Sequence, residues 1–336
     1  EKERDMKTTK MLLVVIVSML LALPAGAATY KMRLTHQLPE THHIAVDIKY
    51  FKGLVEQKTG GKVEVEIYPA AQAFKPKEVI NAVATGAIEA GVTTNFEWAG
   101  VLPVMDVFIV PFLITELPVI EKALSGEVGA ILFKKMEAKG VVPLMWVLQC
   151  RTNVYTSNNA PLILPKDFKG KKMRGTSKIM NLGSEALGAS TMPISGPEVY
   201  TALQRGTIDV GLTGTDAALA RHFYEVQKYG TVSNNFTVSH CVFVNPKFWN
   251  SLPADLRKII KDAGLATQKK SIEDSEQAKD IAVKELRNKK MVIHIQTAEE
   301  AKAWKEVMQK PVLNYFLEKT GKDGKELVDL ITKIGK

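Results

Sequence analysis

Cysteine is nearly missing from this sequence: Cys150 and Cys241 are the only two in 336 residues. An oxidising compartment would permit one bridge between them. Each lies in an apolar, strand-like run, however, and a core of this size needs no staple, so both are read as buried thiols without a functional role. Signatures of common catalytic machinery are missing as well. There is no G-x-S-x-G, H-E-x-x-H, C-x-x-C, P-loop, S-x-x-K or G-x-G-x-x-G pattern, which argues against hydrolase, zinc-peptidase, nucleotide and dinucleotide chemistry.

Long apolar runs are equally scarce. The one such run, Met11 to Leu23, follows the basic pair Lys7 and Lys10 and precedes Pro24-Ala25-Gly26-Ala27. It is shorter than the roughly 20 residues that span a bilayer, and small residues in an A-x-A pattern mark a cleavage site. The segment reads as a signal peptide cleaved near Ala27/Ala28, with Met6 as the start and Glu1 to Asp5 left uninterpreted. No cysteine stands at the cleavage point to carry a lipid.

What is present is an ordinary globular composition, 46% hydrophobic and 24% charged, enough for one large or two medium domains. The net charge of +9 comes from 45 basic and 36 acidic residues spread along the chain, which favours solubility and mild attraction for anions.

After the leader the pattern alternates strand and helix. Lys31 to Thr35 alternates polar and apolar residues; Ile44, Ile48, Phe51, Leu54 and Val55 recur at helical spacing up to Gly60-Gly61. Lys62 to Tyr68 then sets Val63, Val65 and Ile67 on one face and Glu64 and Glu66 on the other. Further elements are expected as a helix over 76–85, a strand over 90–94, a helix over 118–138 and a strand over 141–149. A second α/β run follows Cys150, with helices over 179–187 and 197–204 and strands over 207–212 and 241–244. The chain reads as two α/β lobes joined by strands that cross between them, leaving a cleft where ligands bind. From Pro253 to about Lys289 there is no further proline and Gly264 is the only glycine. This predicts a helix long enough, at about 50 Å, to brace both lobes; a break at Gly264 is the alternative.

Candidate ligand groups are few. His36, His42 and His43 are the nearest approach to a metal constellation, but no cysteine and no i, i+4 histidine pair accompanies them, so no metal or other cofactor is assigned. Lys166, Lys169, Lys171, Lys172 and Arg174 form a basic run with only Phe168 interleaved, which reads as a solvated turn rather than a nucleic-acid surface. Arg174 differs from its neighbours. The strand-like Lys172-Met173-Arg174 points Met173 and Arg174 to opposite sides, and an arginine aimed into a cleft is a carboxylate receptor.

Pro165-Lys166-Asp167-Phe168-Lys169-Gly170-Lys171-Lys172-Met173-Arg174 resembles the D-L-K-G-x-K-I-R segment of TRAP (tripartite ATP-independent periplasmic) transporter solute-binding proteins of the dicarboxylate-binding type. Glu198-Val199-Tyr200-Thr201-Ala202-Leu203-Gln204-Arg205-Gly206-Thr207-Ile208-Asp209 resembles their E-V-Y-x-A-L-Q-x-G-x-x-D segment. Tyr68-Pro69 with Gln72, Gly86-Ala87-Ile88-Glu89, Val110-Pro111-Phe112, Arg151 after a strand, and Phe248-Trp249 before Leu252-Pro253 add to the match. The resemblance covers essentially the whole chain after the leader.

The resemblance implies an α/β, two-lobed periplasmic-binding-protein type II-like fold with hinge strands and a long bracing helix. Lobe I would comprise residues 28–149 with about 240–280. Lobe II would comprise 150–239 with about 281–308, and C-terminal helices from about 309 to 336 would pack back on the lobes. It implies a periplasmic, monomeric, non-enzymatic subunit that closes over a small organic acid and hands it to TRAP membrane permease subunits. A sensor presenting the same ligand to a membrane receptor is the alternative.

By motif position Arg174 corresponds to the arginine that takes a ligand carboxylate in two parallel hydrogen bonds, and Arg151 to a second cleft arginine. His36, Thr94, Asn95, Trp98, Gly196, Thr213 and His240 complete the expected ligand-binding set. Thr213 and Gly196 stand where many relatives carry other, often bulkier, residues, so the pocket is expected to be reshaped. Replacing Arg174 by lysine is expected to weaken binding while leaving thermal stability nearly intact.

Overall fold

The computed structural model describes residues 30–336, so the expected signal peptide and its cleavage site lie outside the described residues. The alternation at the start produces strand β1 (Tyr30–His36), helix α1 (His43–Lys58) and strand β2 (Val63–Tyr68). Helix α1 starts where the His42 side chain accepts a hydrogen bond from the Ile44 N–H, and it ends before Gly60-Gly61, both at positive φ. Strand β3 (Ala90–Thr94) follows the short helix α2 (Val79–Thr85). One turn of helix, α3 (Asn95–Trp98), comes directly after β3, fixed by a reciprocal capping box between Thr94 and Glu97.

The chain then forms α4 (Leu117–Ser125), α5 (Glu127–Glu137) and β4 (Val142–Cys150). The single helix expected over 118–138 is therefore two. Gly126 adopts φ −107, ψ −149 between them, and α5 starts so close to α4 that a Cβ at Gly129 would lie 2.1 Å from the Leu124 carbonyl oxygen.

Beyond β4 come β5 (Asn153–Ser157), β6 (Lys172–Gly175), α6 (Lys178–Ala186), β7 (Ser190–Pro193) and α7 (Val199–Gln204). These lead to β8 (Gly211–Gly214), α8 (Thr215–Ala220), β9 (Tyr229–Ser233) and β10 (Val238–Val244). The strand expected over 207–212 lies later, because residues up to Asp209 form the turn that follows α7. The last elements are α9 (Pro246–Ser251), α10 (Ala254–Asn288), β11 (Val292–Ile295) and α11 (Ala298–Ile334), the last interrupted at Gly321.

Two main sheets result, one in each lobe. The first has the order β2-β1-β3-β10-β4, and the second β11-β9-β5-β8; β6 and β7 form a separate parallel pair. The chain passes between the main sheets at Arg151-Thr152, after β4, and again over 234–237, before β10. Side chains pin these crossings to each other: Asn153 Nδ2 donates to the Phe236 carbonyl at 2.7 Å, and Asn235 Nδ2 donates to the Tyr155 hydroxyl at 2.6 Å.

Helix α10 runs unbroken for 35 residues, about 50 Å at 1.5 Å per residue. It lies against β4 and α1 of the first lobe and against α8 and β11 of the second. Gly264 does not break it. A Cβ there would make an ordinary contact, 3.4 Å from the Leu144 carbonyl oxygen, where the helix passes over edge strand β4. The helix in turn satisfies that edge, since the Trp146 N–H donates to Gln268 Oε1 and the Leu148 N–H to Ser271 Oγ.

Strand β3 depends on similarly close packing. At Gly91 a Cβ would meet Val79 Cγ1 at 2.4 Å and Val83 Cγ2 at 3.0 Å, so β3 lies directly against α2 and aims Thr94 and Glu97 toward the second lobe. Gly91→Ala is expected to cost about 1–3 kcal/mol through overpacking. An unchanged urea midpoint would contradict this account of the packing.

Candidate functional site

Arg174 is the best-defined polar side chain between the lobes. Strand β6 turns Met173 into the core at 0% exposure and leaves Arg174 only 5% exposed on the other side. Its Nε donates to the Ile194 carbonyl at 3.0 Å and its Nη1 to the Leu212 carbonyl at 2.6 Å. Nη2 has no acceptor among the described residues, so the fork is held in place from one side with donors left over.

Those donors face a small cavity of about 20 Å³. Gln37 and Thr94 reach it from the first lobe, Thr176 and Thr213 from the second, and Gln149 and Asn153 from either side of a crossing. A wider groove of about 730 Å³ shares Arg174, Phe96 and Thr176 with it, and continues between apolar side chains such as Ile80 and Tyr315 toward Lys77 and Lys319. Both spaces carry polar groups from the two lobes, but Arg221, Gln37, Gln149, Asn153 and Thr213 border only the small cavity, where they meet Arg174, which makes it the candidate binding site. A space that small holds little more than water, so a solute must enter with the lobes further apart.

Two further charged groups lie close by, Arg221 on the cavity wall and Glu97 on the adjoining groove. The Arg221 side chain, carried just beyond α8, lines the cavity beside Arg174 and makes no hydrogen bond or ion pair with any described residue. Burial, reinforced by the neighbouring guanidinium, lowers the Arg174 pKa to about 9; burial lowers that of Arg221 to about 10. Both stay charged at neutral pH. Glu97 accepts from the Thr94 N–H at 3.3 Å, with Gln37 Nε2 3.4 Å away. Burial pushes its pKa up to about 7 despite the Thr94 contacts and the attraction of Arg174 and Arg221.

A second cluster joins the lobes close by. Asp216 Oδ2, in the first turn of α8, lies 2.8 Å from His42 Nε2 and 3.2 Å from His43 Nδ1 at the start of α1. These contacts are close but not aligned as hydrogen bonds. Burial disfavours the charge on Asp216, yet the two imidazoles outweigh it and hold the carboxyl well below its usual range. Burial holds His42 down to about 4. For His43 burial opposes the proton, but Asp216 and Asp47 prevail and raise its pKa.

The trio has the donor set of a metal site, but the His42 ring does not suit one. Its Nδ1 accepts the Ile44 N–H at 3.2 Å, which puts the neutral ring's proton on Nε2, the atom a metal would need bare. The arrangement suits an interlobe ion pair instead.

The sequence-based site residues divide sharply. Arg174, Thr213 and Thr94 border one cavity, and Gly196 lies against Arg221, where a Cβ would be 2.6 Å from Nη2. Arg151 is placed elsewhere: its Nε and Nη2 form a two-pronged pair with Glu276 of α10, at 2.7 and 2.9 Å, and Nη1 donates to the Thr115 carbonyl. Trp98 has 0% exposure and packs edge-on against Phe243, inside the core. Asn95 is spent on structure, donating to the Met105 carbonyl and accepting from the Ser239 N–H.

His36 is buried with Nδ1 accepting from the Leu38 N–H. His240 is buried in the middle of the first sheet, between Thr94 and Val147. Neither ring borders the cavity. The residues that sequence reasoning missed are Arg221, Glu97, Gln37, Thr176, Gln149 and Asn153. Only Glu97 had a local signal, the Thr94-x-x-Glu97 capping pattern.

The family model for bacterial extracellular solute-binding proteins of family 7 matches residues 34–319. The chain belongs to this TRAP solute-binding family. A similar curated relative of this solute-binding protein is the C4-dicarboxylate-binding periplasmic protein DctP of Rhodobacter capsulatus, 34% identical, covering 91% of this chain and 92% of that one. Among solved structures, a TRAP periplasmic solute-binding protein from Desulfovibrio salexigens with bound orotic acid is 28% identical at a TM-score of 0.86. It covers 91% of this chain and 98% of its own. One from Sulfurospirillum deleyianum with bound succinate is 27% identical at a TM-score of 0.83, covering 91% and 99%. The solute-binding protein thus has the two-lobed α/β fold of these structures.

Asp216 is the shared anchor of the two imidazoles that cross between the lobes. Asp216→Ala is expected to cost about 2 kcal/mol in urea unfolding, because it leaves the His42 and His43 rings facing no acceptor across the junction. A loss below about 1 kcal/mol, the level of an exposed pair, would show that the contact contributes little.

Proposed function

We propose that this protein captures a small organic acid between its lobes, with Arg174 receiving a carboxylate, and delivers it to the membrane permease of a TRAP transporter. The observation that carries this reading is the buried Arg174 guanidinium, anchored by the Ile194 and Leu212 carbonyls and left with free donors at the interlobe cavity. A carboxylate matches the planar fork and turns its desolvation from a cost into a charge-assisted contact. Support also comes from relatives whose bound or named ligands are succinate, orotic acid and C4-dicarboxylates.

The ligand enters between separated lobes, and closing brings Gln37 and Thr94 from one lobe and Thr176 and Thr213 from the other around it. Contacts available only in the closed form are what shift the population toward closure. In this reading the protein is an exported, periplasmic monomer released by cleavage near Ala27/Ala28. It carries out no reaction and needs no nucleic acid. Arg151 drops out of the binding set, since Glu276 already occupies its fork; Arg174, Thr94 and Thr213 stay, joined by Gln37, Thr176 and Arg221.

Arg174→Lys is expected to weaken binding of a responsive acid about 100-fold, because an ammonium cannot present two parallel donors. It also lowers stability by about 1–3 kcal/mol, unlike the expectation from sequence, since the Ile194 and Leu212 carbonyls lose a rigid shared donor. Calorimetry on an acid found by thermal-shift screening tests this, and wild-type affinity in the variant removes Arg174 from the site.

Glu97 adds a pH signature. The charged and polar groups facing it are Arg174, Arg221, Gln37 and Thr94. An arriving anion opposes ionisation of Glu97, so binding takes up a proton once Glu97 is ionised in the free protein. With its pKa at about 7, affinity is level below that pH and falls above it, by up to about tenfold per unit. Glu97→Gln keeps the capping geometry and is expected to flatten the profile between pH 6.5 and 8.5; an unaltered slope would assign the proton to another group.

A further inference from the structure

The protons held at the contact between α1 and α8 follow from its geometry. His42 and His43 lie with ring centroids 4.7 Å apart and planes inclined by 25°, and each brings one nitrogen to Asp216 Oδ2. They differ at the other nitrogen. His42 Nδ1 accepts from the Ile44 N–H, so the neutral ring carries its hydrogen on Nε2 and turns it to the carboxylate. His43 Nε2 lies 3.4 Å from the Leu148 carbonyl oxygen, and its Nδ1 lies 3.2 Å from Asp216. Both nitrogens of His43 therefore face acceptors, one in each lobe. A neutral imidazole has one N–H and serves only one of them; an imidazolium serves both.

The surrounding charges agree. Burial opposes the proton on His43, but Asp216 and Asp47, one turn further along α1, prevail and raise its pKa. The other titratable or charged groups around the pair are His36 and His240 of the first sheet, Cys150 at the end of β4, Arg221 beyond α8, and Lys270 and Asp274 of α10. Burial holds His36 and His42 down to about 4 and His240 well below its ordinary range. Asp47, with Lys270 Nζ 3.5 Å away, is pushed up to about 7 by burial and the neighbouring Asp274 carboxyl. Its own titration falls near that of His43 and has to be separated from it.

We propose that His43 is a proton-operated latch between the lobes: protonated, it ties the Leu148 carbonyl of one lobe to the Asp216 carboxylate of the other, and deprotonated, it releases one of them. This rests on the proposed opening and closing of the lobes, but not on what Arg174 binds. Parting the lobes takes Asp216 away from the ring and returns His43 toward the ordinary histidine pKa of about 6.5. The closed form thus holds the proton more tightly. Its advantage is complete below about pH 6.5 and is lost as pH rises through the higher pKa of the closed form. Asp216, held well below the usual carboxylate range, stays ionised over this span. The latch acts on the closed form whether filled or empty, so where that form predominates it cancels from affinity and shows in the rate of opening. That separates it from Glu97, whose proton changes affinity itself. An acid medium slows both entry and release of the solute, and an alkaline one quickens both.

Single-molecule energy transfer on the full chain, without solute, tests the latch. Val101→Cys and Met192→Cys put fluorophores on exposed positions of opposite lobes, while Cys150 and Cys241 are buried and leave the dyes to the new thiols. The opening rate is expected to be level below about pH 6.5 and to rise about tenfold by about pH 8.5. His43→Gln, which gains no charge in acid, should open at the fast rate throughout. Asp47→Asn should keep the rise but move it to lower pH, because one of the two carboxylates that hold the proton is gone. The imidazole nitrogen resonances of His43 give a second readout that needs no His43 variant. Their midpoint is expected above about 6.5 in the wild type, with the proton held about tenfold less tightly in Asp216→Asn.

Opening that ignores pH, a rise that persists unchanged in His43→Gln, or a His43 midpoint at or below about 6.5 overturns the latch and leaves lobe closure standing. Lobes that part at no pH overturn the closure reading and the latch with it.

Discussion

The arrangement between the lobes depends on one constraint: the Arg174 guanidinium is out of water, and two main-chain carbonyls hold its plane. Ile194 follows β7 and Leu212 lies in β8, so the orientation of the fork is fixed by the backbone of a single lobe. An arginine held by flexible side chains would lose orientation as the lobes moved. Held by carbonyls, it offers the same donors whatever the other lobe does, and its desolvation has been met in part before any ligand arrives. Such preorganisation reduces what a ligand must supply on binding.

The hinge has a comparable economy of parts. Two short crossings join the sheets, and the hydrogen bonds that pin them come from Asn153, Asn235 and Tyr155; of these, Asn153 also lines the cavity. Helix α10 lies along both lobes and closes the exposed edge of β4 with Gln268 and Ser271. Its Glu276 also takes the Arg151 fork at the first crossing. That pair fixes the brace to the hinge. The two arginines that look alike in sequence, each at a strand, therefore work at different levels: one fastens the frame, and the other faces the space that the frame encloses.

Much of the architecture was readable because the physics that sets it is local. Alternation in Val63, Val65 and Ile67 reports a half-buried strand, and a proline-free run rich in helix formers reports α10. What was not readable was decided by distant packing. Gly264 and Gly126 are both isolated glycines in helical patterns, yet the helix continues through the first and stops at the second. The outcome turns on the packing of α10 along β4 on either side of Gly264 and on the crowded approach of α5 to α4 at Gly126 and Gly129. The partner of Arg151 was not readable for the same reason, since Glu276 is 125 residues away in sequence. The strand signal at β6 gave the correct side for Arg174, but nothing local marks Arg221, whose surroundings come from the turn at Gly196 and from the other lobe.

The charge pattern around the cavity follows from how each acid nearby is occupied. Asp216 is ionised, but the two histidines of the opposite lobe claim its charge. Glu276 is claimed by Arg151 and Lys279. Glu97, half-buried on the adjoining groove, sits at the edge of neutrality. Each acid that might have neutralised the two guanidiniums is thus paired elsewhere or only partly charged, and the field at the cavity stays positive. The chain's net charge of +9 contributes little to that result, because surface lysines are screened within about 8–10 Å in salt. Attraction for an anion therefore arises from a few buried groups whose counter-charges the fold has committed to other tasks.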